Sequence, residues 1–109
     1  MNILFICTAN RDRSRTAEHI FQEIYPEINF NSAGIDQELC LMYNGEYVQY
    51  QMCDNADRII CMEDHHAQYI LKKFGDLLLN KVEILGVEDN EEYMSRILIK
   101  ELKEKFEIF

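Results

Sequence analysis

"NILFICTANRDRSRTAEHIF", residues 2–21, changes its hydrophobic period in the middle, and that change decides the fold. Residues 2–6 form an apolar run of strand length, the pattern of a strand buried on both faces. From Ser14 the period becomes helical. Ala17, Ile20, Phe21, Ile24 and Tyr25 fall at i, i+3, i+4, i+7 and i+8, and Pro26 ends the helix near Tyr25. Around this junction lie one thiol, Cys7, and four charges, Arg11, Asp12, Arg13 and Arg15. Three of the four are arginines, in a chain of formal net charge −9.

The alternation continues beyond this unit. Residues 28–34, "INFNSAG", read as a second strand closed by a glycine turn. Residues 43–53 have helical spacing, with Tyr43, Tyr47 and Tyr50 roughly on one face. "RIICM" at 58–62 is a third buried strand, and 63–74 is a helix ended by Gly75. "KVEIL" at 81–85 is a fourth strand, followed by the acidic stretch "GVEDNEEY". Residues 94–106 close the chain as an amphipathic helix with Ile97, Leu98, Leu102 and Phe106 inward. Strands alternating with helices predict right-handed β-α-β crossovers. The expected fold is a three-layer α/β/α sandwich with a four-stranded parallel sheet, one domain over residues 1–109. In such sheets ligands bind at the carboxyl ends of the strands, and Cys7 sits at one.

The 109 residues suffice for a single core. There is one proline, no Gly/Ser linker, no low-complexity tract and no repeat. The acidic balance argues against nucleic acid or an anionic membrane as partner. No segment is long and apolar enough to span a bilayer, and the first residues lack the features of a signal sequence. The cysteines at 7, 40, 53 and 61 show no zinc-type pairing, so reduced thiols in a cytoplasm are expected.

In "CTANRDRS" the chemistry follows from the order of elements. A loop between a strand and a helix amino terminus gathers backbone N–H groups, and with the helix dipole they make an anion site. A cysteine in such an electropositive hollow is a nucleophile. Arg13, six residues on, can return over the same hollow, where its planar fork suits two phosphate oxygens. Ser14 can donate to the sulfur. The spacing C-x5-R-S thus supplies a nucleophile, a nest and a clamp.

This segment resembles the active-site loop of the low-molecular-weight protein tyrosine phosphatases, C-x-x-N-x-x-R-S beside the amino terminus. Cys7, Asn10, Arg13 and Ser14 match it, and Ala17 and Glu18 match the helix that follows. "NSAG" (31–34) and "ADRIICME" (56–63) are similar to later family segments. The resemblance implies a phosphate-binding loop of Thr8, Ala9, Asn10, Arg11, Asp12 and Ser14 around catalytic Cys7 and Arg13. It implies that Asn10 holds the loop's strained shape through backbone hydrogen bonds. The implied reaction is hydrolysis of phosphotyrosine in a peptide, or of a small aryl phosphate, through a phosphocysteine, with no metal and no cofactor. A thiol-dependent arsenate reductase and a non-catalytic phospho-ligand sensor on the same fold are the alternatives.

Ester cleavage also needs a proton for the leaving oxygen. The family places an aspartate in a late loop, usually in Asp-Pro-aromatic. In "VEDNEEYM" Asp89 is the candidate acid, with Glu88 and Glu92 as rivals. No proline follows Asp89, and Tyr93 is four residues on. Asp12 stands where many members carry a second loop cysteine, and Arg11 where an apolar residue is common. Arg11 would lie near the mouth, offsetting Asp12 or attracting a more acidic substrate. His65 and His66 read as a solvated helix start rather than a metal site, and His19 receives no role. Cys53 and Cys61 read as small apolar core residues, against the disulfide relay that an arsenate reductase needs.

Overall fold

The computed structural model describes residues 1–109. Four strands, β1 (Asn2–Cys7), β2 (Asn29–Gly34), β3 (Arg58–Cys61) and β4 (Val82–Ile84), form one sheet in the order β2-β1-β3-β4. Every pairing is parallel. Five α-helices accompany them: α1 (Arg13–Ile24), α2 (Gln37–Met42), α3 (Tyr50–Asn55), α4 (Asp64–Phe74) and α5 (Arg96–Lys105), with a 3-10 turn over Asp76–Lys81. The expected sheet and layering are present.

Central β1 sends alternate side chains to two cores. Ile3, Phe5 and Cys7 join Ala17, Ile20 and Phe21 of α1 and Leu98 and Leu102 of α5. Leu4 and Ile6 join Cys53, Ile59, Cys61, Ala67, Ile70 and Leu78 on the opposite face. Burial on both faces explains why β1 reads as a continuous apolar run. The register places Cys7 opposite Gly34 and Ile6 opposite Cys61. The ends of β1, β2 and β3 are therefore level, and the loops leaving them meet at one edge.

Three helical expectations are corrected. Residues 43–49 are not helical, and α3 begins only at Tyr50. Asn44 has φ +57°, and the next residues pair with the end of β2: Gly34 N–H donates to Glu46 O at 2.8 Å and Val48 N–H to Gly34 O at 3.0 Å. Tertiary pairing overrides the local period, and the three tyrosines part company. Tyr43 lies under the Arg11 guanidinium, Tyr47 bonds Tyr69, and Tyr50 packs on Phe74. The short α2 was not anticipated. It starts at Asp36, whose Oδ1 accepts from Leu39 N–H at 3.0 Å, a standard amino-terminal cap.

In α5 the inward face is Leu98, Leu102 and Phe106, flanked by half-buried Ile99. Ile97 is 65% exposed, against expectation. Ser95 caps the helix by accepting from Leu98 N–H at 3.1 Å, and the face of Leu98 and Leu102, not that of Ile97, packs on the core. Ile24 of α1 is likewise exposed. Leu98→Ala is expected to destabilise the protein by about 2–5 kcal/mol and Ile97→Ala by less than about 0.5 kcal/mol. Urea unfolding of both variants checks the phase of α5, which equal losses would contradict.

Candidate active site

The loop from Cys7 to α1 holds its shape through buried side chains. Asn10 has φ +52°, the left-handed region that asparagine tolerates better than most residues. Its Nδ2 donates to Ser14 Oγ at 2.9 Å and to Ser32 Oγ at 2.8 Å, and its Oδ1 accepts from Glu46 N–H at 2.8 Å. The expectation that Asn10 works through backbone bonds is met by one bond only. The other two go to hydroxyls.

Those hydroxyls set a direction. Ser32 Oγ donates to Glu18 Oε1 at 2.5 Å and accepts from Asn10. Ser14 Oγ also accepts from Asn10, so its single proton is free to donate elsewhere. Cys7 Sγ lies 2.9 Å away, nearer than the alternative Ala33 O at 3.5 Å. Asn10 thus donates in both directions, through Ser32 to the Glu18 carboxylate and through Ser14 to the Cys7 sulfur, within one hydrogen-bonded network. The N–H groups of Ala9, Asn10, Arg11 and Asp12 donate to no protein acceptor, the donor supply an anion nest requires.

Two glycines admit this loop because of close approach. A Cβ on Gly34 would stand 2.5 Å from Thr8 O, and one on Gly45 2.7 Å from Ala9 O.

Arg13 is 2% exposed, and its guanidinium is tied on one edge. Nη1 donates to Glu63 Oε2 at 2.5 Å and to Val87 O at 2.9 Å, and Nη2 to Thr8 Oγ1 at 3.3 Å. Nε–H and the second Nη2–H are left, the parallel pair suited to two phosphate oxygens. Asp89 Oδ1 is 3.8 Å from Nε.

A hollow of about 200 Å³ opens here, lined by Cys7, Thr8, Ala9, Arg11, Asp12, Arg13, Leu39, Tyr43 and Asp89. The structure therefore brings Cys7, Arg13 and Asp89 together at one hollow. Glu88 and Glu92 are absent from its lining. Asn10 and Ser14 lie beneath it, buried, and support the loop from behind. The loop that carries Asp89 is stitched to α1. Asp12 Oδ1 accepts from Tyr93 N–H and Thr16 Oγ1 from Met94 N–H, both at 2.9 Å. Asp12 thus anchors that loop instead of capping its own helix.

Sequence reasoning missed Glu63 and His66. His66 is fully buried, a correction to the solvated helix start. Its Nδ1 accepts from Glu63 N–H at 3.0 Å, so Nε2 carries the proton and donates to Thr8 Oγ1 at 2.9 Å. Both nitrogens are engaged and Glu63 holds Arg13, so the Glu63, His65 and His66 cluster is poorly suited to ligating a metal. The available signal was position: Glu63 follows a buried strand at the catalytic edge.

Two of the other cysteines lie apart from the hollow, and Cys40 packs behind the loop, with its sulfur 3.9 Å from Thr8 O. Cys53 and Cys61 face the core on the opposite side of the sheet from Cys7, and burial pushes their thiols up to about 11 and about 12. Cys40 is raised to about 11, first by burial and then by Cys7 and Asp36 nearby.

Residues 2–43 match the family described as low molecular weight phosphotyrosine protein phosphatase. The chain is 29% identical over 108 residues to the low molecular weight protein-tyrosine-phosphatase Wzb of Escherichia coli K12, covering 83% of this chain and 73% of Wzb. Among solved structures it resembles Wzb from Escherichia coli K30 in complex with phosphate, with TM-score 0.73, 20% identity, and coverage of 95% of this chain and 91% of Wzb. It also resembles a mutant of the arginine phosphatase YwlE with a phosphorylated active-site serine, with TM-score 0.69, 23% identity, and coverage of 95% and 88%.

Burial above all, with His65 and Arg13 adding repulsion, lowers the His66 pKa from 6.5 to about 3. Between those values the unfolded chain takes up a proton that the folded chain refuses. Stability is therefore lost as pH falls below about 6.5, by up to ~1.4 kcal/mol per pH unit. In urea unfolding at pH 6.5 and 5, His66→Gln should show a flatter loss than the parent. Equal slopes would show that His66 takes up its proton equally in both states.

Proposed function

We propose that this chain belongs to the low molecular weight phosphotyrosine protein phosphatase family and that it hydrolyses aryl phosphomonoesters, phosphotyrosine in peptides above all, through a phosphocysteine. The observation that carries this reading is the shared hollow. Cys7, the free fork edge of Arg13 and the carboxylate of Asp89 line one space, and Ser14 supports the sulfur from behind.

Cys7 attacks phosphorus in line, the phosphorus–oxygen ester bond breaks, and a sulfur–phosphorus bond forms. Loop N–H groups and Arg13 Nε and Nη2 hold the equatorial oxygens as charge spreads over them. Asp89 gives its proton to the leaving oxygen. As a carboxylate it then takes a proton from the water that hydrolyses the intermediate and frees Cys7. The phosphorylated active-site serine of the YwlE mutant is a parallel for a covalent intermediate at this position.

Tyr43 and Leu39 offer apolar walls to an aromatic ring. Arg11, which lines the same hollow, would repel the guanidinium of a phosphoarginine, and this favours the tyrosine reading over the arginine one. The arsenate reductase alternative needs a thiol relay, and Cys53 and Cys61 are sealed on the far side of the sheet. The sensor alternative needs a missing acid, and Asp89 lines the hollow. The chemistry requires Cys7 reduced, so a reducing cytoplasm is the proposed compartment.

Asp89→Asn is expected to slow phenyl phosphate hydrolysis by about 10²–10⁴-fold and p-nitrophenyl phosphate far less, because nitrophenolate leaves without a proton. Steady-state kinetics on the two esters checks this, with Glu88→Gln and Glu92→Gln as controls that should show no such contrast. Equal slowing of both esters would make Asp89 structural. Arg13→Lys keeps the charge but loses the fork, and a fall in kcat of about 10²–10³-fold is expected. Near-parent kcat in that variant would remove Arg13 from the clamp.

A further inference from the structure

Beside the phosphate hollow runs a second groove, of about 410 Å³, lined by Arg11, Arg15, His19 and Tyr93. Arg11 belongs to both hollows, so the groove begins at the mouth of the site. Arg15 and His19 are four residues apart on α1 and share one helix face. The side chains are held. The Arg11 guanidinium sits 4.2 Å from the Tyr43 ring centroid, Arg15 Nη2 donates to Asn44 O at 3.1 Å, and His19 Nδ1 lies 2.5 Å from Tyr93 Oη.

These two arginines lack close carboxylates in a chain with 20 acidic and 11 basic residues. Arg15 enters none of the chain's ion pairs within 4.0 Å. Arg11 has only Asp12, with Oδ1 at 4.0 Å, and that oxygen already accepts from Tyr93 N–H. Arg13, by contrast, is paired to Glu63. Elsewhere around the hollow, Leu39, Tyr43 and Asp89 offer no cation.

We infer that the groove of Arg11, Arg15 and His19 is a subsite for a second anionic group on the phosphorylated substrate, a carboxylate side chain or a second phosphate. The inference rests on the phosphatase reading above and names its substrate class: peptides with acidic or phosphorylated residues on one side of the phosphotyrosine. Extended peptide rises about 3.3 Å per residue, and a helical turn about 5.4 Å. Residues flanking the phosphotyrosine in sequence therefore pass along a groove that begins at the mouth of the hollow, at Arg11. Guanidinium forks bind carboxylate and phosphate alike. The chain's overall negative charge repels such substrates at long range, so the preference depends on contact.

The test compares kcat/KM for phosphotyrosine peptides flanked by alanines, by glutamates on the amino side, by glutamates on the carboxyl side, or by a phosphoserine on either side. Para-nitrophenyl phosphate serves as the unflanked reference. A preference of about three- to tenfold for one acidic flank is expected, the size of two exposed ion pairs. It should shrink between about 0.05 M and about 0.5 M NaCl. The ratio of acidic to alanine peptide should approach one in Arg15→Gln and recover partly in Arg15→Lys. Preference for glutamate peptides identifies a carboxylate as the second anion, and preference for phosphoserine peptides alone identifies a phosphate. Equal rates for all peptides, with the reference ester still hydrolysed, overturn the subsite and leave the phosphatase reading standing. A preference unchanged in Arg15→Gln also overturns it. No turnover of any ester overturns both readings.

Discussion

A guanidinium with 2% exposure cannot be left unpaired, because removing a charge from water costs several kcal/mol unless partners replace the solvent. Much of the catalytic edge is arranged around meeting that need for Arg13. Glu63 comes from the end of β3, Val87 O from the segment after β4, and Thr8 from the loop itself. Three separate parts of the chain thus converge on one side chain. Held this way, the arginine presents its Nε–Nη2 edge without paying rotamer entropy when a phosphate arrives. His66 extends the arrangement, bonding the Glu63 backbone with one nitrogen and Thr8 with the other. Only the neutral ring can do both.

The loop is fixed by a second constraint, independent of charge. A left-handed Asn10 costs backbone energy, and three side-chain bonds hold it there. The loop can lie so close to β2 and to residue 45 because both approaches meet glycine. The same bonds pass from Glu18 through two serines to the sulfur of Cys7. The shape of the loop and the support of the nucleophile are therefore one network, and a change at Ser32 or Glu18 would be felt at Cys7 without touching it.

The sheet, its order of elements and the cysteine loop were legible because each rests on local pattern: an apolar run, a helical period, and C-x5-R-S between them. What failed to show was decided by contacts far apart in sequence. Residues 43–49 carry a helical spacing but pair with Gly34. Ile97 fits the apolar spacing, but the face of α5 that packs on β1 and α1 is that of Leu98, Leu102 and Phe106. Glu63 and His66 look like a polar helix start, and only the parallel register of β1 and β3 brings them under Thr8 and Arg13. Asp89 was legible as a carboxylate after a strand. Only the folded loop shows that it, and neither Glu88 nor Glu92, lines the hollow.

Asp12 and Arg11 show how one departure supports another. Asp12 spends its carboxylate on Tyr93 N–H, docking the loop that carries Asp89. That leaves Arg11 with a distant and already occupied partner, and its guanidinium settles over Tyr43 at the mouth. The acid loop in turn places Tyr93 against His19, completing the wall of the neighbouring groove. A negative residue in the loop thus docks the segment that carries Asp89 and leaves a positive rim beside the hollow. This answers the charge pattern of the opening segment: in a chain of net charge −9, three arginines gather around one hollow and the groove beside it, Arg13 buried behind the hollow, Arg11 at its mouth and Arg15 along the groove.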